Sequence, residues 1–479
     1  VRGRIQVSKS TADILVAKGK ESWLQPREDK VTAKGKGSLQ TYFLRMKDDQ
    51  AIPEHSLKKS SESGVAKDSS SESDGGSKEL LKGWMAEVLL DHLKQITAKN
   101  QATRPRSHGK AAVRTDSFML RPNTICLDEA VESLDLPEAN IVGNPSAMED
   151  YQAIELDPLV VQQLNNYVAQ IASRYSDKCP FHNFNHACHV TMSVHKLMKR
   201  VVGNGNVEWM ACATSDPLTL FAITFSGLIH DVDHRGVSNT QLSKEEPEMA
   251  AHYRFKSVAE QNSFDIAWEL LMLESYADLR RAIFPTMADL KRFRQIVTNI
   301  VLATDIFDAG MGEMRKARWE CAFGSKNDND IEGNDNSNSK KCNTTRATIV
   351  LEHIMQASDV AHTMQHWHVY VKWNRKLFEE LSLAFQQGRM AVDPAEFWYA
   401  GELSFFDNYI IPLAKKLQDC QVFGVSGDEY LNYAVSNRSE WEAKGREIVQ
   451  EMVQSMRPVS APSQSKKDRM RRPPSNHAN

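Results

Sequence analysis

Along most of the chain, apolar residues recur every three or four positions. The stretches LVVQQLNNYVAQIASRY (159–175), PLTLFAITFSGLIHD (217–231) and FRQIVTNIVLATDIF (293–307) carry this repeat, which predicts helices with one or more buried faces. Alternating strand patterns are scarce between Pro137 and Met456, so residues 137–456 are expected to form one all-α domain. The N-terminal end differs. Arg4 to Val7 alternates like a strand, Ser8 or Ser10 is placed to cap a helix running through Lys18, and Gly19 suits its C′ position. VTAKGKGSLQTYFL (31–44) then reads as strand, Gly-Lys-Gly turn and strand, which makes residues 1–45 a short α/β fragment.

Between these regions, residues 46–78 are Ser-rich, mixed in charge and poor in large apolar groups. They bury too little to offset ordering entropy and are expected to be a disordered linker. A helix is predicted from Glu79 to Lys99, with Leu81, Met85, Val88, Leu89, His92, Leu93 and Ile96 on one stripe, followed by a connecting segment to 136. Packing onto the next domain is the expected use of that stripe, with a homodimer seam as the alternative. Residues 324–345 read as an Asn/Asp/Ser-rich loop within the helical domain, and 457–479 as a basic, Pro-rich disordered tail.

Composition narrows the class without naming it. Apolar content of 41%, charged content of 25% and a formal charge of −3 give no general affinity for nucleic acid or membrane surfaces. The seven cysteines form no CxxC pair, which fits free thiols in a reducing, cytoplasmic setting. No apolar run is long enough for a membrane segment, and no signal peptide is present. The chain begins at Val1 with residues that already read as ordered, so it is expected to be a piece of a longer polypeptide, such as the cytoplasmic portion of a larger membrane protein.

The candidate chemistry lies in three clusters of the helical region. In CPFHNFNHACHV (179–190), Pro180 is acceptable in a first helical turn, which would set His182 and His186 at i and i+4, with Cys188 and His189 close behind. His230-Asp231-Val232-Asp233-His234 stands where a long apolar helix stops. In QASDVAHTMQHWH (356–368), Asp359 follows the helical stretch IVLEHIMQ. A single helical histidine is ordinarily a hydrogen-bonded residue, and a single aspartate after a helix is ordinarily a cap. Together they are harder to satisfy, because charge beside an apolar wall must be paired or coordinated. Imidazole with carboxylate oxygen suits zinc, with manganese or iron as alternatives. Asp231, if it bridges, admits a second ion, a hydrated magnesium or manganese, about 3.5–4 Å away.

HDVDHRGVSN (230–239) resembles the HDxDHxGxxN signature of the class I cyclic nucleotide phosphodiesterases, part of the wider HD metallohydrolase superfamily. FHNFNHA (181–187) resembles that family's YHNxxHA motif, ASDV (357–360) its ADLS motif, and Ala303-Thr304-Asp305 its ATDM segment. GELSFFDNYIIPL (401–413) resembles the QxxFxD segment of the nucleotide pocket. The resemblance implies a compact multi-helix HD-type fold that hydrolyses cyclic nucleotides to nucleoside 5′-monophosphates. His186, His230, Asp231 and Asp359 would hold the first metal, zinc, and Asp231 would bridge to the second. A hydroxide activated between the metals would attack, His182 would protonate O3′, and His234 would contact the phosphate. Asp305 and Glu402 would fall in the substrate site, with Phe405 stacking on the purine.

Three departures stand out. Glu402 replaces the purine-reading glutamine, which suggests a lean toward cyclic GMP with dual specificity admitted, since a carboxylate only accepts hydrogen bonds. His189 replaces an aspartate. SVAEQNSFDIAWELL (257–271) keeps Glu260 but has Gln261, Asn262 and Ser263 in place of Asn-His-His. Another HD-type phosphohydrolase and a catalytically degenerate regulatory module are the competing readings.

The N-terminal fragment, with KGKGSLQTYFL (34–44), resembles the C-terminal end of class III nucleotide cyclases, and Lys34 corresponds to a triphosphate-contacting lysine there. That family's metal-binding aspartates lie upstream of the matching segment, so no cyclase activity is expected of this chain, although the parent protein would couple synthesis to breakdown.

Overall fold

A computed structural model describes residues 6–9, 12–13, 16, 24–27, 31–33, 37–44, 72–103, 125–137, 151–201, 208–324, 336–424 and 427–456. The chain divides into two compact units, Val1–Ser69 and Ser70–Asn479. In the first, β1 (Gln6–Ser8), β2 (Leu24–Pro26) and β5 (Thr41–Leu44) form an antiparallel sheet in the order β1-β5-β2. β3 (Val31–Ala33) pairs with β4 (Gly37–Leu39) as a hairpin, in register Val31 to Leu39. The strands predicted for 31–44 are therefore present. Lys34, the predicted helix end at Lys18 and Gly19, the linker to 71 and the 457–479 tail lie outside the described residues.

Every regular element among the described residues of the second unit is helical. Its first half comprises α1 (Glu72–Thr103), α2 (Pro158–Arg174), α3 (Phe184–Arg200), α4 (Glu208–Thr214), α5 (Pro217–Ile229), α6 (Asn239–Glu245), α7 (Pro247–His252) and α8 (Val258–Met272). There follow α9 (Ala277–Ile283), α10 (Met287–Leu302), α11 (Ala309–Phe323), α12 (Asn336–Asp359), α13 (Trp367–Gln386), α14 (Pro394–Phe405), α15 (Ile411–Asp419) and α16 (Glu429–Met456). A single π-helical turn, Phe406–Ile410, joins α14 to α15. No helix among the described residues is long and apolar enough to cross a membrane.

Two boundaries differ from expectation. Residues 72–78, expected in the linker, are the first turns of α1. Residues 336–345, expected in a loop, begin α12. Tertiary bonds outweigh the weak local propensity there: Ser133 Oγ bonds Thr344 Oγ1 at 3.1 Å and the Leu134 N–H donates to Thr348 Oγ1 at 2.9 Å.

α5 is the central strut. Asp216 caps it through the Thr219 N–H, Pro217 occupies its first turn, and every residue from Phe221 to Ile229 is buried. Its apolar surface meets Tyr167, Phe293 and, through Phe293, Trp268. α1 packs against α5 with Met85, Leu89, Leu93 and Ile96 buried, so its stripe faces the chain's own core rather than a second copy. In that stripe His92 Nε2 lies 3.2 Å from His195 Nδ1 on α3 and 3.3 Å from Thr224 Oγ1 on α5, and burial lowers its pKa to about 4.

α3 and α5 touch where Gly227 meets Thr191, and a Cβ on Gly227 would lie 3.1 Å from the Thr191 Cα. Glycine permits this close approach, and backbone on both sides cannot yield. Gly227→Val is therefore expected to destabilise the fold by about 1–3 kcal/mol, the usual range for overpacking, read as a lower urea midpoint. An unchanged midpoint would show that the helices can separate freely.

Candidate metal centre and active site

The two touching helices deliver histidines to one place. α5 ends at Ile229 and His230 forms its C-cap, with Nδ1–H donating to the Gly227 carbonyl at 3.0 Å. That bond fixes the tautomer and leaves a lone pair on Nε2. The chain then turns, with Val232 N–H donating to Ile229 O and His234 N–H to Asp231 O. Asp233 stands at φ 64°, so the helix does not persist to His234. This positive φ turns the Asp233 carboxylate outward, where Oδ2 accepts from Arg235 at 2.9 Å and Asn262 at 3.3 Å. It borders a cavity of about 560 Å³ with Arg174 and Glu269, apart from the other members of the cluster.

On α3, Asn183 is the N-cap: its Oδ1 accepts from the N–H groups of Asn185 and His186, and its Nδ2 donates to the carbonyls of Cys179 and Pro180. The helix thus starts at Phe184, and Pro180 and His182 precede it, contrary to the i and i+4 placement expected. The His182 and His186 rings nevertheless stay 5.9 Å apart. α12 ends at Asp359, beside His186 and His230.

His186, His230, Asp231 and Asp359 converge, with one ligand atom of each lying within 4.8 Å of all the others. His186 Nε2 is 3.0 Å from Asp359 Oδ1 and 3.6 Å from Asp231 Oδ2; His230 Nε2 is 3.1 Å from Asp231 Oδ2 and 3.3 Å from Asp359 Oδ1. His230 Nε2 is fully buried and makes no hydrogen bond. A buried lone pair facing two carboxylates is unfavourable unless positive charge stands between them. Burial opposes charge on these groups, but the two carboxylates hold the His230 pKa well above its usual value, and the histidines hold both carboxyls well below theirs. The site is therefore built for a cation, and two imidazoles with two carboxylates fit zinc-type coordination.

A second group, His182, His234 and Glu380, adjoins it. Glu380, on α13, pairs with His182 Nδ1 through Oε1, while Oε2 accepts the N–H groups of Phe181 at 2.9 Å and His182 at 3.0 Å. Burial would lower the His182 pKa, but the Glu380 carboxylate raises it to about 9. His234, its ring centroid 3.8 Å from that of His182, is lowered to about 4 by burial and by the His182 charge. One imidazole thus carries a proton at neutral pH and its neighbour does not. Gly236, at φ 67°, is required here, since a Cβ would meet Glu380 Cγ at 3.3 Å and Cys179 Sγ at 3.4 Å.

The expected substrate residue Asp305 has both oxygens engaged by the protein. Oδ1 accepts from the Phe307 and Asp308 N–H groups, and Oδ2 from Ser257 Oγ at 2.8 Å and Asn239 Nδ2 at 3.3 Å. The same Asn239 amide donates to Glu260 Oε2 at 3.0 Å, and burial with the Asp305 charge raises Glu260 to about 8. Asp305 braces this network. The departures from the family pattern are likewise absorbed structurally. Gln261 Oε1 accepts from Leu127 N–H while its Nε2 donates to Lys256 O, and Ser263 Oγ holds the Val232 carbonyl at 2.8 Å. Asp265 accepts from Tyr253 OH, away from the ligands. His189 lies against Trp373 and is lowered to about 4 by burial.

Glu402 lies on α14 with only 9% of its surface exposed. Its Oε2 accepts from Tyr370 OH at 2.7 Å. Burial raises its pKa to about 7, against the opposing bonds from Tyr370 and Asn374. Phe405 stacks on Tyr409 at 5.4 Å with 14° between the rings. Tyr409, in the π-helical turn, is held above its ordinary pKa by burial and, less strongly, by the Asp359 charge.

Residues 181–421, just over half of the chain, match the 3′5′-cyclic nucleotide phosphodiesterase family. A dual-specificity calcium/calmodulin-dependent 3′,5′-cyclic nucleotide phosphodiesterase of Mus musculus is 26% identical over 239 residues, which is 50% of this chain and 29% of the relative. A probable 3′,5′-cyclic-AMP phosphodiesterase of Caenorhabditis elegans is 28% identical over 222 residues, 45% of this chain and 29% of the relative. The chain thus spans less than a third of the length of either relative. Among solved structures, the phosphodiesterase domain of the Salpingoeca rosetta rhodopsin phosphodiesterase superposes with a TM-score of 0.47 at 20% identity, over 68% of this chain and 100% of that one.

Proposed function

Because the chain belongs to the 3′5′-cyclic nucleotide phosphodiesterase family, which is metal-dependent, we propose that it hydrolyses 3′,5′-cyclic nucleotides to nucleoside 5′-monophosphates. His186, His230, Asp231 and Asp359 would hold the first cation, zinc, and Asp231 would be shared with a second, magnesium or manganese. When bound, the two ions neutralise phosphodiester charge and lower the pKa of water toward neutrality. His182 donates its proton to O3′ as the P–O3′ bond breaks and a water-derived oxygen bonds to phosphorus. Glu380 keeps that imidazole protonated and aimed. His234, neutral beside it, serves the phosphate, and Glu402 with Phe405 receives the base. The observation that carries the reading is the buried, unbonded Nε2 of His230 facing two carboxylates.

Purified protein supplied with zinc and magnesium is expected to turn over cyclic AMP, cyclic GMP or both, and chelation to stop it. If both nucleotides survive intact, the module is regulatory and this reading fails.

The N-terminal unit is read as the end of a class III cyclase domain, supported by KGKGSLQTYFL and its antiparallel strands. Free cysteines at all seven positions support a cytoplasmic setting.

A further inference from the structure

We propose that the charge on Glu402 biases the base: the ionised carboxylate favours guanine over adenine, and the protonated acid accepts both. The inference rests on the reading of Glu402 as a base contact. It starts from a directed chain of hydrogen bonds. Trp398 Nε1–H donates to Asn374 Oδ1 at 3.1 Å, which turns the Asn374 amide so that Nδ2 faces Tyr370 OH at 3.4 Å. The Tyr370 oxygen is thereby used as acceptor, and its proton is committed to Glu402 Oε2 at 2.7 Å. All three supporting side chains are buried. Oε2 is therefore held as an acceptor, and any proton the carboxyl carries resides on Oε1.

A glutamine at this place would offer an acceptor and a donor at every pH. Glu402 offers a donor only when protonated. The acid's O–H can donate to adenine N1 or to guanine O6. The carboxylate repels both of those lone pairs; it accepts two adjacent bonds from guanine, N1–H and the 2-amino group, but from adenine only the 6-amino group beside the repelling N1. Among the described residues, hydrogen bonds from Tyr370 and Asn374 favour the charged form of Glu402 against its burial. Charged groups of the neighbouring elements are engaged elsewhere: Glu380 with His182, Arg375 with Glu451, Arg438 with Asp407 and Glu442, Lys444 with Glu440, and Arg446 over Tyr399. Burial raises the carboxyl's pKa to about 7, so both states are populated near neutral pH.

The test is a competition assay of cyclic GMP against cyclic AMP from pH 5.5 to 8.5. The ratio of their kcat/KM values cancels every titration the two substrates share, including those of His182 and the metal centre. The ratio is expected to rise in favour of cyclic GMP by about tenfold between pH 6 and pH 8, the change in the acid fraction of a group titrating near 7. Glu402→Gln should flatten it. Tyr370→Phe should move the midpoint upward, because the lost bond favoured the ionised form. A flat ratio in the native protein, or one falling with pH, overturns the inference while leaving phosphodiesterase activity intact. Failure to hydrolyse or bind either nucleotide overturns the functional reading and this inference with it.

Discussion

Asp231→Asn is expected to abolish turnover of both cyclic nucleotides and to empty the first metal site. Asp231 Oδ2 is 3.1 Å from His230 Nε2 and 3.6 Å from His186 Nε2, so it faces both histidine ligands. Asparagine keeps the shape and removes the charge, leaving Asp359 as the lone anion opposite two imidazoles. Loss of an outer partner of a metal ligand lowers affinity or activity by about 10–100-fold, and loss of a shared ligand carboxylate should exceed this, to below about 10⁻³ of native activity. Metal content by mass spectrometry and helicity by circular dichroism separate this result from unfolding. Native metal content with undiminished turnover would remove Asp231 from the centre.

The second large effect is at the proton donor. His182→Ala is expected to retain metal and lose about 10²–10⁴-fold in kcat, the usual contribution of a general acid. Glu380→Gln gives the finer reading, because it leaves the imidazole in place and removes the charge that sustains its proton. With Glu380 present, burial is outweighed and His182 titrates at about 9. A donor must be protonated, so native activity falls as pH rises through that value. Without the carboxylate, burial is opposed by the weaker influence of the Asp231 and Asp359 charges, and the fall moves to lower pH. The Glu380→Gln enzyme should therefore lose its rate at neutral pH and recover part of it on acidification. A pH profile identical to the native one would show that Glu380 only holds the backbone N–H groups of Phe181 and His182.

The four converging residues were legible in the sequence because three of them end or follow helices, where short motifs fix geometry: His230 and Asp231 after α5, and Asp359 at the close of α12. His186 was legible within an N-terminal motif on α3. The placement of His182 was misjudged because proline in a first turn is acceptable to a helix, and nothing local says that Asn183 will take the cap instead. Glu380 was missed because its partner lies 198 residues away. A weak signal existed: Trp373, Leu377 and Glu380 share one face of α13, and an acid on an otherwise apolar stripe demands a partner. The state of Glu402 was not legible at all. It depends on the burial of Tyr370, Asn374 and Trp398, which only tertiary structure decides. Asp305 and the Gln261–Ser263 run show the converse limit. Their places along the chain are visible in the sequence, yet what their side chains touch is set by neighbours such as Ser257, Leu127 and the Val232 carbonyl.

The burial of α1 bears on what counts as the smallest autonomous piece of this protein. The family match begins at residue 181, but Met85, Leu89, Leu93 and Ile96 are interior residues of the same core that seats α5. A fragment cut at the edges of the match would leave His195 and Thr224 without His92 and open an apolar trench along the strut that holds His230 in place. The helix from Glu72 is thus an integral part of the second unit's core, and a fragment meant to fold would start there, about a hundred positions ahead of the family match.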